Sequence, residues 1–416
     1  MEKREEKKIR LVHMITSLER GGAQTVLYEL LEGLDKTRFE QVVIYFIPGV
    51  YVQKIEALGI KTYHVRGFLC AYDPLFFVRL IRLIKVMQQD KTIDCLHTVL
   101  WSANFIGRIF ASYYHLVHIE SLHNMIELNG FLRRLLDRCT ARKHGTLIAV
   151  SQSIARSFEK KAPWLVHVKE QGDRYSARTM SAVSGINAHG NRVRNAIRVI
   201  KNGISVGATT VTTGQENVKV TRADLGLTDT HIIIGSVGRF ESVKNYRLLL
   251  TAFALLYDIY PKARLLLIGN GSLEHFLRLR AFHLGIDDRV IFVVNKDAQD
   301  YYQLFDCFVQ CSLSEGMSMA LLEAMAHGIA PVVTCLDKRH DVVIHEQTGL
   351  LVHSYQAQAL ADALEKLLQS RALRRQLGQA AQESMRTSFR IDTMVREYSQ
   401  IVEQEVKLTY AEKSLS

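Results

Sequence analysis

Residues 314–328 read SEGMSMALLEAMAHG, and the parsing of this stretch decides the fold. It follows the apolar run LFDCFV at 304–309, and its MALLEAMA portion is rich in Ala, Leu and Met, which favour helix. The order is therefore strand, glycine turn, helix. A helix starting near Met317 turns its unpaired backbone N–H groups towards the turn, a setting that suits a phosphate or sugar oxygen. Glu315 lies in the turn and Glu323 on the helix, with seven residues between them. Alone, these residues fit an ordinary connection with two solvated glutamates equally well, and the rest of the chain has to decide.

Working outward, the same alternation fills both halves. IRLVHMIT (9–16), QVVIYFI (41–47), KTYHV (61–65), DCLHTVL (94–100), LVHIESLH (116–123) and TLIAVS (146–151) read as strands. Helical periodicity lies between them at 23–34, 51–58, 74–89 and 103–114. After a break the pattern restarts with HIIIGSVG (231–238), ARLLLIG (263–269), RVIFVV (289–294), LFDCFVQCS (304–312), APVVTC (330–335) and GLLV (349–352). Helices are expected at 244–259, 272–284, 298–304 and 357–369. Strands alternating with helices imply right-handed crossovers and parallel sheets, which bind ligands beyond the carboxyl ends of their strands. The expected fold class is α/β, with two tandem doubly wound Rossmann-like domains facing across a cleft. The first spans 1–204 and includes a basic excursion at 160–198. A linker covers 205–230, the second domain 231–388, and a C-terminal segment 389–416 packs its helix back on the first domain.

At 416 residues the chain exceeds one ordinary core, and 48% hydrophobic with 23% charged residues describes a globular protein. No window approaches the 18 or so uninterrupted apolar residues of a spanning helix, and MEKREEKKIR leads into a strand, so a cytoplasmic site of action is expected. The six cysteines are scattered and read as buried thiols, and the sixteen histidines show no ligand spacing, so no metal is expected. The formal net charge is +11, with all the surplus in the first 210 residues. That asymmetry suggests an anionic partner, and without an RNA- or DNA-binding pattern nucleic acid is not it.

Three loops at strand ends of the second half share a character. GSVGRFESVKN (235–245) offers Gly238, Arg239 and Lys244. IGNGS (268–272) offers a flexible Asn270–Gly271 turn, and SEGMS (314–318) offers Glu315, Gly316, Met317 and Ser318. Cations converging with helix N-termini make a diphosphate site, and carboxylates beside them accept hydrogen bonds from sugar or ribose hydroxyls. A glycosidase pair is set aside: eight residues of helix advance about 12 Å, beyond the roughly 5–9.5 Å between glycosidase carboxyls.

These motifs resemble the retaining glycosyltransferases of the GT-B fold, the large family four that includes lipopolysaccharide and exopolysaccharide sugar transferases. The paired-glutamate signature is matched by Glu315 and Glu323, and SLERGGAQTVLYEL (17–30) resembles the family's first Gly-rich loop and helix. VGRFESVKN resembles its diphosphate loop, VIKNGI (199–204) its interdomain segment and HEQTGLLV (345–352) its late-domain ending. The resemblance implies a donor linked to UDP or GDP and a glycan or lipid-linked acceptor. It places Arg239 and Lys244 on the diphosphate, Glu315 with the amides of Gly316 to Ser318 on the sugar, and Glu323 on the ribose. Gly21 and Gly22 would let backbone approach the phosphates, and His123 would contact the transferred sugar. It implies no protein nucleophile or general base.

Where many relatives carry further histidines, this chain has Val99 and Ser102, and Lys201 stands where proline is usual. A sugar-nucleotide-binding subunit without turnover, or a nucleotide-sugar epimerase, are the competing readings. On the first domain, Arg79, Arg82 and Lys85 fall within about 120° of one helix face, and Arg133, Arg134 and Arg138 flank Phe131 and Leu132, so contact with an anionic membrane surface is expected.

Overall fold

The computed structural model describes residues 8–71, 73–124, 131–140, 145–161, 197–205, 220–337 and 340–415. The chain divides into two compact units, Met1–Gly203 with Ile391–Ser416, and Ile204–Arg390.

Unit 1 begins β1 (Ile9–Ser17), α1 (Gly22–Gly33), β2 (Phe39–Ile47), α2 (Tyr51–Ala57) and β3 (Lys61–His64). It continues α3 (Pro74–Asp90), β4 (Cys95–Val99), α4 (Trp101–Tyr114), β5 (Val117–Leu122) and α5 (Phe131–Thr140), then β6 (Thr146–Ala149), α6 (Gln152–Lys161) and β7 (Ile197–Val199). Among the described residues these strands form one parallel sheet in the order β3-β2-β1-β4-β5-β6-β7. Strands covered on both faces read as continuous apolar runs, which is why IRLVHMIT carries so little alternation. On one face Val12, Met14, Val42 and Ile44 pack with Phe76, Leu80, Ile84, Ile106 and Phe110. On the other, Ile15, Val43 and Val99 pack with Leu27, Leu31 and Ile55.

The last helix, α12 (Ile391–Leu415), belongs to unit 1 and buries Met394, Ile401, Val402 and Val406 together with several hydrogen-bonded polar groups. Tyr398 Oη lies 2.9 Å from Ser121 Oγ, Thr146 donates to Glu405 at 2.7 Å, and Tyr410 donates to Asp94. A second buried polar assembly joins α4, β5 and α5. Arg108 is 2% exposed, donates twice to Glu120 (3.0 Å from Nε) and donates to Asp137 at 2.7 Å. Trp101 Nε1 also donates to Asp137.

Unit 2 contains β8 (Ile232–Val237), α7 (Tyr246–Leu256), β9 (Ala263–Gly269), α8 (Glu274–His283) and β10 (Val290–Val294). After these come β11 (Cys307–Gln310), α9 (Met319–Ala326), β12 (Ala330–Thr334), β13 (Leu350–Val352), α10 (Ala357–Gln369) and α11 (Arg371–Ser388). Its sheet is parallel in the order β10-β9-β8-β11-β12-β13, over a core that includes Leu249, Phe253, Leu265, Val309, Val332, Leu360 and Leu364.

Several expectations change. The helix expected at 298–304 is two 3₁₀ turns, Ala298–Asp300 and Tyr302–Leu304, because Phe305 and Asp306 must turn directly into β11. Residues 220–230 were expected as linker, yet they pack as part of unit 2. Arg222 donates to the backbone of His231 and to Asp306, whose carboxylate also accepts from Ile233 N. Helices α5, α6 and α11 had no counterpart in the sequence reading. The basic excursion at 160–198 lies almost entirely outside the described residues, as do the side chains of Phe131, Leu132, Arg133 and Arg134.

Replacing Arg108 with Ala strands two buried carboxylates, so unit 1 is expected to lose about 3–5 kcal/mol of stability. Urea unfolding followed by circular dichroism measures this, and a loss below about 1 kcal/mol would show the assembly is dispensable.

Candidate active site

In a parallel sheet, adjacent strands whose connections leave in opposite directions open a crevice at their carboxyl ends. Unit 2 has this point between β8 and β11, and unit 1 has it between β1 and β4. Of the sequence-nominated residues, Lys244 and Glu315 meet at the unit 2 point, whereas Glu323 lies on α9, Asn270 and Gly271 follow β9 and His123 follows β5. Gly21, Gly22 and His123 belong to unit 1, and the others belong to unit 2.

Across the unit 2 crevice Lys244 Nζ donates to Glu315 Oε2 at 2.7 Å, with the two side chains 17% and 25% exposed. The loops that carry them are also tied by Leu313 N to Val243 O at 2.8 Å and by Cys311 Sγ to Lys244 O at 3.2 Å. Lys244 closes a 3₁₀ turn, and Asn245, in the left-handed region at φ 52°, redirects the chain into α7. Arg239 stands exposed beside Glu241.

The loop after β9 is not the flexible turn expected. Gly238 N donates to Ile268 O, Phe240 N to Asn270 O and Leu273 N to Phe240 O. A Cβ on Gly269 would sit 2.0 Å from Gly238 O, and one on Gly271 would sit 2.6 Å from Phe240 O. Only glycine allows so close an approach of two backbones. Glu241 accepts from Ser272 N at 3.2 Å and Ser272 Oγ at 3.0 Å, and these bonds hold its carboxyl below the usual range. Sequence reasoning passed over Glu241 because its partner lies 31 residues away. Asn270 Nδ2 donates to Asn295 Oδ1 at 2.9 Å.

Helix α9 begins at Met319, not near Met317, because the Ser318 Oγ accepts from Leu321 N and caps it. Glu315 therefore precedes the helix, and the helical rise used above to separate it from Glu323 does not apply. Gly316 is half-buried while Met317 and Ser318 are buried. Glu323 accepts a hydrogen bond from Tyr302 at 2.6 Å.

In unit 1, α1 starts at Gly22, straight after the Gly21 turn. A Cβ on Gly21 would meet Gln24 Oε1 at 2.5 Å, and Gln24 is occupied in donating to Ser17 O. His123 follows β5 half-buried, and desolvation lowers its pKa to about 4. Beneath it lies a feature the sequence hid. His13 of β1 and His97 of β4 meet across the switch point, Nδ1 to Nδ1 at 2.9 Å. His97 Nε2 is 2.8 Å from Ser121 Oγ, which reaches Tyr398 on α12. One imidazole has to donate and the other accept, so the two rings cannot both be protonated. Burial agrees, lowering His13 to about 3 and His97 well below its usual value. Val99 is 1% exposed in the core beside Leu27, so packing accounts for an apolar residue there.

Residues 20–168 match the Glycosyltransferase Family 4 description and residues 217–384 the Glycosyl transferases group 1 description. The two matches together make this chain a glycosyltransferase. It is 29% identical to N-acetyl-alpha-D-glucosaminyl L-malate synthase of Bacillus anthracis over 43% of this chain and 47% of that one. It is 28% identical to the lipopolysaccharide core biosynthesis glycosyltransferase LpsE of Rhizobium meliloti over 50% and 58%. Each match thus spans about half of the relative. Among solved structures, Anabaena HepE in complex with UDP and glucose superposes with a TM-score of 0.74 at 18% identity, covering 95% of this chain and 100% of that one. The two doubly wound parallel-sheet domains of the GT-B fold are therefore the fold of this glycosyltransferase.

The buried histidines set a pH dependence. The unfolded chain protonates them near pH 6.5 and the folded chain only towards pH 3–4, so their stabilisation is full above about pH 6.5 and is lost as pH falls. Each contributes a slope of about 1.4 kcal/mol per pH unit. Urea midpoints for unit 1 are expected to fall steadily from pH 7 to pH 4.5, and a flat profile would show that the imidazoles are not held neutral.

Proposed function

We propose that this glycosyltransferase moves a hexose from a UDP- or GDP-linked sugar to a lipid-linked or cell-envelope glycan acceptor, with retention of configuration. The observation that carries the reading is the Lys244–Glu315 pair, set across the switch point of unit 2 where a parallel sheet takes its ligand. In this reading Lys244 and Arg239 hold the donor diphosphate and stabilise charge developing on the leaving group. Glu315 and the backbone amides of Gly316, Met317 and Ser318 take the sugar, and Glu323 takes the ribose. Gly238, Asn270 and Gly271 form the wall beside the phosphates, and Gly21 and Gly22 keep the phosphate-binding role that the family resemblance implies. His123 is assigned to the transferred sugar, and desolvation keeps its imidazole neutral at working pH. Fixed cations serve where other transferases use a metal, so no metal or cofactor enters this reading. Catalysis then rests on positioning and preorganised charge, with no nucleophile or general base.

The name of LpsE supports an envelope acceptor, and HepE, solved with UDP and glucose, supports the donor class. Lys244→Ala and Glu315→Ala are each expected to lower transfer by about 10²–10³-fold while circular dichroism stays unchanged. Full activity in both would remove the donor-site assignment. Donor binding without transfer or hydrolysis would instead favour the non-turnover subunit, and an isomerised sugar from donor alone would favour the epimerase.

Helix α3 supports the acceptor side of this reading. Asp73 caps it, Pro74 starts it, and Phe76, Leu80, Ile84 and Met87 face the core. Its outer face carries Leu75 (68% exposed), Val78, Ile81 and Val86 (63%) interspersed with Arg79, Arg82 and Lys85. Exposed apolar side chains among cations fit the headgroup layer of an anionic membrane. No helix among the described residues is long and apolar enough to cross one. Arg82→Glu with Lys85→Glu is expected to weaken sedimentation with phosphatidylserine vesicles at least 30-fold, at about 1 kcal/mol per lost cation. Binding that is unchanged, or insensitive to salt, would exclude this face.

A further inference from the structure

Tyr302 has no surface of its own with which to touch a ligand. It opens the 3₁₀ turn before β11 and is 0% exposed. Its ring stacks on His327 at 5.1 Å and 26°, and meets Phe305 edge-on at 5.7 Å. Clamped this way, the phenol delivers its hydroxyl to one place. Oη lies 2.6 Å from Glu323 Oε2, with a longer approach of 3.3 Å to Ala320 O. That distance is in the charge-assisted range for O–H···O⁻. Burial and the Glu323 charge push the phenol's pKa well above its ordinary value, so it stays a donor throughout the working pH range.

Glu323 itself is half-buried on α9, and His327 Nδ1 lies 2.8 Å from the Glu323 carbonyl oxygen. The same two residues, Tyr302 and His327, therefore support both the backbone and the carboxylate of Glu323. A glutamate left to itself spreads over several rotamers, and a ligand that recruits it has to order it first. Here the ordering is already done by a residue 21 positions earlier in the chain.

We propose that Tyr302 is a positioning residue that sets the enzyme's preference for a ribonucleotide donor, by holding the Glu323 carboxylate ready for the ribose hydroxyls. The proposal rests on the reading of Glu323 as the ribose ligand. A merely structural role, stapling the turn to α9, would alter stability or the affinity for every nucleotide equally. A positioning role alters the discrimination between ribose and its deoxygenated analogue. A site built to bond a hydroxyl rejects the analogue that lacks it, because its own polar group is then left unpaired.

The test uses the full chain and four probes, UDP, GDP and their 2′,3′-dideoxy counterparts, with dissociation constants measured by calorimetry. The native enzyme is expected to bind its preferred ribonucleotide about a hundredfold more tightly than the dideoxy form, the scale of hydrogen bonds to a charged group. Tyr302→Phe, which keeps the ring and its stacking, is expected to weaken the ribonucleotide about tenfold and leave the dideoxy form unchanged. Glu323→Ala should abolish the discrimination, and Tyr302→Phe should then add nothing in that background. If Glu323→Ala leaves the discrimination intact, the ribose reading of Glu323 fails, and the proposal with it. If Glu323→Ala abolishes it while Tyr302→Phe preserves it in full, the proposal alone is overturned. Should Tyr302→Phe not fold, His327→Ala removes the stacking partner and is expected to reduce the same ratio several-fold, and an unchanged ratio there overturns the proposal.

Discussion

At the switch point between β8 and β11, the chain leaves the sheet in opposite directions, and no helix crosses over to close the opening. Whatever fills that crevice has to come from loop backbone and side chains. In unit 2 it comes from a cation and a carboxylate on opposite lips, Lys244 and Glu315, 2.7 Å apart. Both are partly buried, so water screens them less than a surface pair and each restrains the other's loop. The tie from Leu313 N to Val243 O and the glycine contacts between the loops after β8 and β9 make this rim rigid. A rigid rim with fixed charge is what a reaction governed by positioning requires.

Unit 1 solves the same problem with neutral groups. Its switch point lies between β1 and β4, and the facing side chains there are His13 and His97. Running from the imidazole pair through Ser121 to Tyr398, the contacts form one connected polar seam under α12. A polar face of a sheet cannot be covered by an ordinary apolar helix without leaving unpaired groups. Helix α12 answers with Tyr398, Glu405 and Tyr410, each placed opposite a polar group of unit 1. Its Met394, Ile401, Val402 and Val406 are buried beside them, so the covering face is mixed in composition.

The alternation of apolar runs with helical periodicity was legible wherever strands were buried on both faces, and by the rules of crossover it implied parallel sheets but not their strand order. Helices α5, α6 and α11 were not legible, for different reasons. QSIARSFEKK buries only the narrow stripe Ile154, Ala155 and Phe158, and FLRRLLDRCT depends on Asp137 reaching Arg108. RALRRQLGQAAQESMRTS reads as solvated, yet its Leu377, Gly378, Ala381 and Met385 are buried. The site followed the same division. Gly238, Gly271, Lys244 and Glu315 announced themselves by residue type at predicted strand ends. Tyr302 fell inside the helix expected at 298–304, and His13 looked like one more buried position in IRLVHMIT.

The sequence by itself determined the α/β class, the two-domain plan and the loops nominated for the candidate site. Those follow from local periodicity and from glycines whose conformational freedom is intrinsic. Only the tertiary structure decided which groups meet. Lys244 and Glu315 are 71 residues apart, His13 and His97 are 84 apart, and Ser121 and Tyr398 are 277 apart. Such pairings depend on strand order and crossover, which bring distant positions to one sheet end and which no local pattern encodes.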